Sequence, residues 1–186
     1  LIEWAGIRAF SGFRAGLKGG QLVTLLMTDV VDSTSTARQL GDVAWRELLS
    51  SHFEMVRAQL EDHGGHEVNT TGDGMLATFD GPARALQCAA AVTQRTGQVR
   101  IRVGVHVGEI ESVGGDVRGI AVHEVARIMS EAGPSEILVS DTTRVLAAGF
   151  QFEDRGARPL KGIGDVHLYA LQLGEPAGNG GAAGTA

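Results

Sequence analysis

Three short runs hold residues whose types and spacing suit phosphate chemistry. The first is Thr28-Asp29-Val30-Val31-Asp32-Ser33-Thr34. Asp29 ends an apolar run of strand length, and a turn into a helix follows. A carboxylate held at a sheet edge beside the free amides of a helix start suits a metal–phosphate site. The same residues also read as plain helix capping by Asp32 or Ser33. The second run is Asn69-Thr70-Thr71-Gly72-Asp73-Gly74. Its glycines allow a sharp turn and close approach to a ligand, although an ordinary Asp-Gly hairpin turn would use them too. Together the two runs say more than either alone. Adjacent strands ending in carboxylates can place Asp29 and Asp73 on one pair of Mg²⁺ or Mn²⁺ ions, which can activate an attacking oxygen and stabilise a leaving phosphate. The third run extends from Asp116 to Arg127. His123 and Arg127 stand four apart on one helix face, with Asp116 in a Gly-rich loop before them. A cation at Arg127 suits the charge that develops in phosphoryl transfer; by spacing alone, a surface His/Arg pair fits better.

These residues need elements to hold them. Gln21 to Val31 reads as a strand. From Ser33 to Gly64-Gly65 one helical region is expected, with Trp45, Leu48, Leu49, Phe53, Val56 and Leu60 at helical spacing. His66–Thr70 and Met75–Phe79 form a hairpin about the turn Thr71-Gly72-Asp73-Gly74. Pro82 opens a second helix at the position that tolerates proline. VRIRVGVHVGEIESV is a long strand or a hairpin, and GIAVHEVARIMSEAG is a helix ended by Gly133-Pro134. EILVS is a strand, DTTRVLAAG a short helix capped by Asp141, and FQFEDRG and DVHLYAL close the unit. The plan is α/β (α+β), with helices over one mixed sheet.

The bulk properties fit one domain in 186 residues with 43% hydrophobic and 20% charged residues. A net charge of −6 without a basic block argues against nucleic acid or an anionic membrane as partner. A small anionic ligand would need metal ions or local arginines. The one cysteine, Cys88, excludes an intramolecular disulfide and suits a reducing, cytoplasmic compartment. No apolar stretch is long enough to span a membrane. The remaining histidines (His52, His63, His66, His106, His167) lack metal-ligand spacing and read as packing or surface residues. The chain opens at Leu1 rather than Met. It reads as a piece of a longer protein, with residues 1–20 a linker from an upstream, regulatory domain, 21–173 the catalytic unit, and 174–186 a flexible Gly-rich tail.

VTLLMTDVVDST, EVNTTGDGMLATF, IRVGVHVGE and DVRGIAVHEVAR resemble the successive signature segments of class III adenylyl/guanylyl cyclases. GPSEILVS and PLKGIGDVHLYAL resemble the closing segments of the same catalytic domain. The match runs in order from Leu22 to Leu173, closest to the compact bacterial subgroup. The resemblance implies a ferredoxin-like, palm-related fold that works as a head-to-tail homodimer with active sites at the interface. It implies that ATP is cyclised to 3′,5′-cyclic AMP and pyrophosphate with two Mg²⁺ or Mn²⁺ ions. By the same resemblance Asp29 and Asp73 hold the metals, and Val30 adds a carbonyl. The backbone of Val30, Val31, Asp32, Ser33 and Thr34 receives the triphosphate, and Arg102 and Lys161 contact phosphates. Arg127 is the transition-state arginine, and Asp116 accepts from the adenine amino group.

Three positions depart from the family pattern. Asn69 stands where a base-reading lysine is expected, His123 where an asparagine is expected, and Asp32 where glycine is frequent. The reading is ATP as substrate with relaxed discrimination against GTP, because an Asp116 carboxylate would meet acceptor O6 of guanine unfavourably. Two other classes compete. One is a degenerate cyclase domain serving as a nucleotide-binding, dimerising regulator. The other is a diguanylate cyclase, for which Gly114-Gly115-Asp116 lacks the required acidic and aromatic continuation.

Overall fold

The computed structural model describes residues 20–113 and 116–173. The expected linker, apart from Gly20, and the expected tail lie outside the described residues. The chain begins with β1 (Gln21–Val30), continues through α1 (Ser33–Leu40) and α2 (Asp42–Asp62), and makes the hairpin β2 (His66–Thr71) and β3 (Gly74–Phe79). Next come α3 (Pro82–Arg95), β4 (Ile101–Val113), β5 (Asp116–Arg118), α4 (Ile120–Glu131), β6 (Ile137–Ser140), α5 (Asp141–Leu146), β7 (Phe152–Leu160) and β8 (Gly164–Leu171).

The strands order as β2-β3-β1-β4-β6-β8-β7, with β5 paired to β4. The first half is a βαββαβ unit of ferredoxin-like type with the strand order 2-3-1-4. β6 then adds parallel to β4, and the β7–β8 hairpin extends the sheet. β1 is an interior strand, antiparallel to both β3 and β4. Its two faces meet different layers. Leu26 and Val30 join the core formed with α2 and α3, while Val23 and Leu25 pack with Ala121 and Val125 of α4. Burial on both faces explains why β1 reads as a continuous apolar run rather than an alternating one. The helices thus cover both faces of the mixed sheet.

α4 lies close on β4 because Gly104 has no side chain: a Cβ there would sit 2.7 Å from the Met129 amide nitrogen and 2.8 Å from the Val125 carbonyl oxygen. Cys88 is buried in α3, and its burial pushes the thiol up to about 12, so it is unreactive at neutral pH.

Two local expectations are corrected. The helical region after Ser33 is two helices, because Gly41 at φ 78 ends α1 and its carbonyl accepts from the Trp45 amide to begin α2. The cap of α5 is Ser140, whose side chain accepts from the Thr143 amide. Asp141 instead pairs with Arg144 at 2.8 Å. The open question at VRIRVGVHVGEIESV also resolves: it is one strand, β4, with only β5 folding back on its end.

Candidate active site

β1 delivers Asp29 to the end of the sheet, and both neighbouring strands place a residue beside it. On the β4 side Asp29 pairs in register with Arg102, whose Nε and Nη2 both donate to Asp29 Oδ2, at 2.8 and 2.6 Å. On the β3 side the hairpin turn carries Asp73. The β2–β3 loop is only Gly72-Asp73, since Thr71 pairs with Gly74. Gly72 has φ 65 at the first central position, as a type II′ hairpin requires. Gly74 is needed for a different reason from the ligand approach expected for it: a Cβ would lie 2.7 Å from the Thr28 carbonyl oxygen. The glycine therefore lets the hairpin close against β1, which is what brings Asp73 beside Asp29.

Beyond Asp29 the chain turns into α1. The Val31 amide donates to the Arg100 carbonyl at 2.8 Å, so it is not available to an anion, and Val31 does not line the cleft. Asp32 adopts φ 56, ψ 29, the left-handed region in which Asp is tolerated and glycine is at ease. Its carbonyl accepts from the Thr36 amide and hydroxyl, and its side chain caps nothing. The amides of Ser33, Thr34 and Ser35 therefore have neither an intrahelical acceptor nor a side-chain cap. Asp29, Val30, Asp32, Ser33, Thr34, Ser35, Arg38, Asp73 and Arg102 line one open cleft of about 500 Å³. Helix-start amides, aspartates and arginines in one cleft form a surface for phosphates carried with cations.

The donor set suits Mg²⁺ or Mn²⁺. Asp29, Asp73 and the Val30 carbonyl offer hard oxygens. Among the described residues no three His, Cys, Asp or Glu side chains group to cage a metal. One or two carboxylates completed by substrate phosphates is the usual arrangement for Mg²⁺.

None of the other expected site residues lines this cleft. Asn69 is exposed on the edge strand β2. β5, which begins at Asp116, pairs with the far end of β4, beside the start of β1. Asp116 is thus separated from Asp29 by the ten-residue length of β1, about 30 Å. Strand directions put Lys161, exposed in the β7–β8 turn, at that same far end. His123 and Arg127 are both exposed on α4, the face opposite its buried Ala121, Val125 and Ile128. The structure brings Asp29, Asp73, Arg102 and the Ser33–Thr34 amides together; it does not bring Asn69, Asp116, His123, Arg127 or Lys161 to them within one protomer.

The rotation of α4 is fixed by a buried link. His106 of β4 contacts Glu124 Oε2 through Nε2 at 2.9 Å and Ser140 Oγ through Nδ1 at 2.9 Å. A neutral ring with its proton on Nε2 satisfies both partners. Burial holds the His106 pKa below its usual value against the opposing pull of Glu124. Glu124 adjoins His123, so the link sets which residues α4 turns outward. Arg38 lines the cleft but was not among the residues expected from the sequence. The signal for it is its spacing of one helical turn from Thr34.

Residues 17–173 match the family described as the adenylate and guanylate cyclase catalytic domain. The chain is 32% identical over 182 residues to a pH-sensitive adenylate cyclase of Mycobacterium tuberculosis, covering 90% of this chain and 45% of that protein. It is 28% identical over 185 residues to an adenylate cyclase of Glutamicibacter nicotianae, covering 93% of this chain and 46% of that protein. The chain thus spans about half the length of these relatives. Among solved structures, an adenylate/guanylate cyclase/hydrolase from Silicibacter pomeroyi superposes with a TM-score of 0.71 at 28% identity, over 85% of this chain and 99% of that one.

Proposed function

The chain belongs to the adenylate and guanylate cyclase catalytic domain family, and we propose that it converts ATP to 3′,5′-cyclic AMP and pyrophosphate. The observation that carries this reading is Asp29 and Asp73 in one cleft with the uncapped start of α1. When bound there by Asp29, Asp73 and the Val30 carbonyl, two Mg²⁺ or Mn²⁺ ions would lower the pKa of the ribose 3′ hydroxyl and neutralise phosphate charge. The chain's own residues supply position and field. The Ser33 and Thr34 amides hold the triphosphate on the helix dipole, and Arg102 turns from Asp29 to a phosphate oxygen. The 3′ oxygen, its proton passing to water, then attacks the α-phosphorus in line as the bond to the bridging oxygen breaks and pyrophosphate leaves, a reaction in which orientation and charge neutralisation together lower most of the barrier.

Asp116, His123, Arg127 and Lys161 act, on this reading, in the site of a second copy of the chain. The length of β1 between Asp29 and Asp116 supports this, because one nucleotide does not reach both. A two-fold homodimer would make two equivalent sites, with Arg127 of one protomer meeting the phosphates held by its partner. Asp116 selects the adenine amino group, and Asn69 replaces an ionic base contact with a neutral one, which relaxes discrimination against GTP.

Residues 21–173 would form the catalytic unit and 1–20 a connection to a regulatory region. Among the described residues no helix is long and apolar enough to cross a membrane. A cytoplasmic setting fits a nucleoside triphosphate substrate.

The test is product formation by the purified protein with Mn²⁺ and ATP or GTP, beside Asp73→Ala. Cyclic AMP in excess of cyclic GMP, lost in the variant, is the expected result. Equal product from both proteins removes the metal site, and a preference for GTP removes the adenine assignment. Nucleotide binding without either product would favour the regulator reading, to which Asn69 and His123 lend support.

A further inference from the structure

We propose that Arg38 grips the terminal phosphates of the nucleotide and holds the pyrophosphate as it leaves; the role rests on the cyclase reading above. The cleft is rich in acid: Asp29, Asp32 and Asp73 all line it, in a chain of net charge −6. A triphosphate entering it needs cations beyond two metal ions. Arg102 is the other guanidinium lining the cleft; its Nε and Nη2 are on Asp29, and it reaches a phosphate only by giving up that contact. Arg100 lies 3.9 Å from Asp32, so its charge is partly answered as well. Arg38 lines the cleft, is exposed, and makes no ion pair among the described residues.

Its place along α1 defines which phosphates it meets. Ser33, Thr34 and Ser35, whose amides are uncapped, line the cleft, and Arg38 follows Thr34 by one helical turn on the same face. Asp29 and Asp73 mark the end of the cleft where the reacting phosphorus belongs. The phosphates reaching farthest from that end run past the helix start toward Arg38. A guanidinium presents paired donors that match two phosphate oxygens, so it holds a terminal group in orientation as well as in charge. Arg38 would also compensate for Asp32, whose carboxylate repels the same phosphates.

The experiment uses the whole chain with Arg38→Gln and Arg38→Lys. Inorganic tripolyphosphate with Mn²⁺ is titrated by calorimetry, AMP serves as the control ligand, and KM for ATP is measured in parallel. The Gln variant should weaken tripolyphosphate and raise KM by about tenfold, the scale of one partly exposed charge-assisted contact. The Lys variant should recover part of the loss, and AMP affinity should not change. Unchanged tripolyphosphate affinity in Arg38→Gln overturns the assignment, even if ATP is cyclised. If the wild-type chain forms no cyclic nucleotide yet loses tripolyphosphate affinity in Arg38→Gln, the phosphate role of Arg38 stands and the cyclase reading falls.

Discussion

Arg102 and Asp29 are cross-strand partners whose side chains join through two nitrogens on a single carboxylate oxygen, at 2.8 and 2.6 Å. The pair is partly buried, with side chains 34% and 22% exposed, so solvent screens it less than a surface pair. On the proposed cyclase reading it would couple metal binding to nucleotide binding. A cation on Asp29 would compete with the guanidinium for one carboxylate, and a guanidinium displaced from Asp29 would be free for a phosphate.

Arg102→Met should therefore separate metal binding from nucleotide binding. Without nucleotide, Mn²⁺ should bind the variant severalfold more tightly, because a nearby positive charge is gone. ATP should bind it more weakly, because a phosphate contact is lost. Mn²⁺ titration followed by electron paramagnetic resonance reads the first effect, and unaltered Mn²⁺ affinity would show that the ion pair does not guard the site.

Gly74→Ala should damage the site without touching any ligand-binding atom. The new Cβ would lie 2.7 Å from the Thr28 carbonyl, a backbone atom that cannot yield without moving β1. Overpacking of this kind costs about 1–3 kcal/mol, and the strain falls on the strand that places Asp29. Gly72→Asn should lose less, since nothing lies within 4 Å of the added Cβ and the only strain on the new residue is the positive φ of the turn. Denaturant midpoints and cyclase rates for the two variants provide the comparison; equal losses would mean that turn conformation, not the Thr28 approach, matters.

Stability should fall on acidification, and His52 should account for part of the slope. Its side chain is buried at 5% exposure with neither ring nitrogen hydrogen-bonded among the described residues. Burial lowers its pKa from the model-peptide value of 6.5. The unfolded chain therefore binds a proton that the folded chain refuses, and stability rises with pH across that interval. The contribution is complete above about pH 6.5 and is lost as pH drops below it. His106 is shifted the same way, by burial outweighing Glu124. His52→Leu should thus flatten but not abolish the slope of urea stability between about pH 7.5 and 5.5. An unchanged slope would remove His52 from the account.

The sequence showed the two aspartates clearly because each is defined locally, one by the end of an apolar run and one by a two-residue turn. The ion pair between Asp29 and Arg102 was not legible, because it joins residues 73 apart through a register that only the folded sheet establishes. Arg38 was not legible, because its spacing of one turn from Thr34 marks a helix face but not the cleft that this face borders. Ser140 and Asp141 are both good cap residues, and the Thr143 amide bonded to Ser140, with Asp141 turned to Arg144, decides between them. The plan of helices over one mixed sheet was legible from element order, whereas the ferredoxin-like arrangement was expected only from the family resemblance. The opposed placement of Asp116 and Lys161 relative to Asp29 required strand directions.

That placement leads to a quantitative prediction. If each site takes Asp29 and Asp73 from one protomer and Arg127 from the other, then Asp29→Ala and Arg127→Ala should each be nearly inactive alone. Mixed in equal amounts and allowed to exchange, half the dimers are heterodimers. In each heterodimer one site collects both substitutions and the other collects neither. Activity should return to roughly a quarter of the wild-type value, as two-fold symmetry requires. Two variants lesioned in the same half, Asp29→Ala and Asp73→Ala, also pair one intact half with a defective one in every arrangement, but each site then carries a lesion in its metal-binding half, so no recovery is expected. Recovery in the first mixture and none in the second would identify a shared site. Absence of recovery in the first, with exchange verified by mass, would require Arg127 to act within its own protomer.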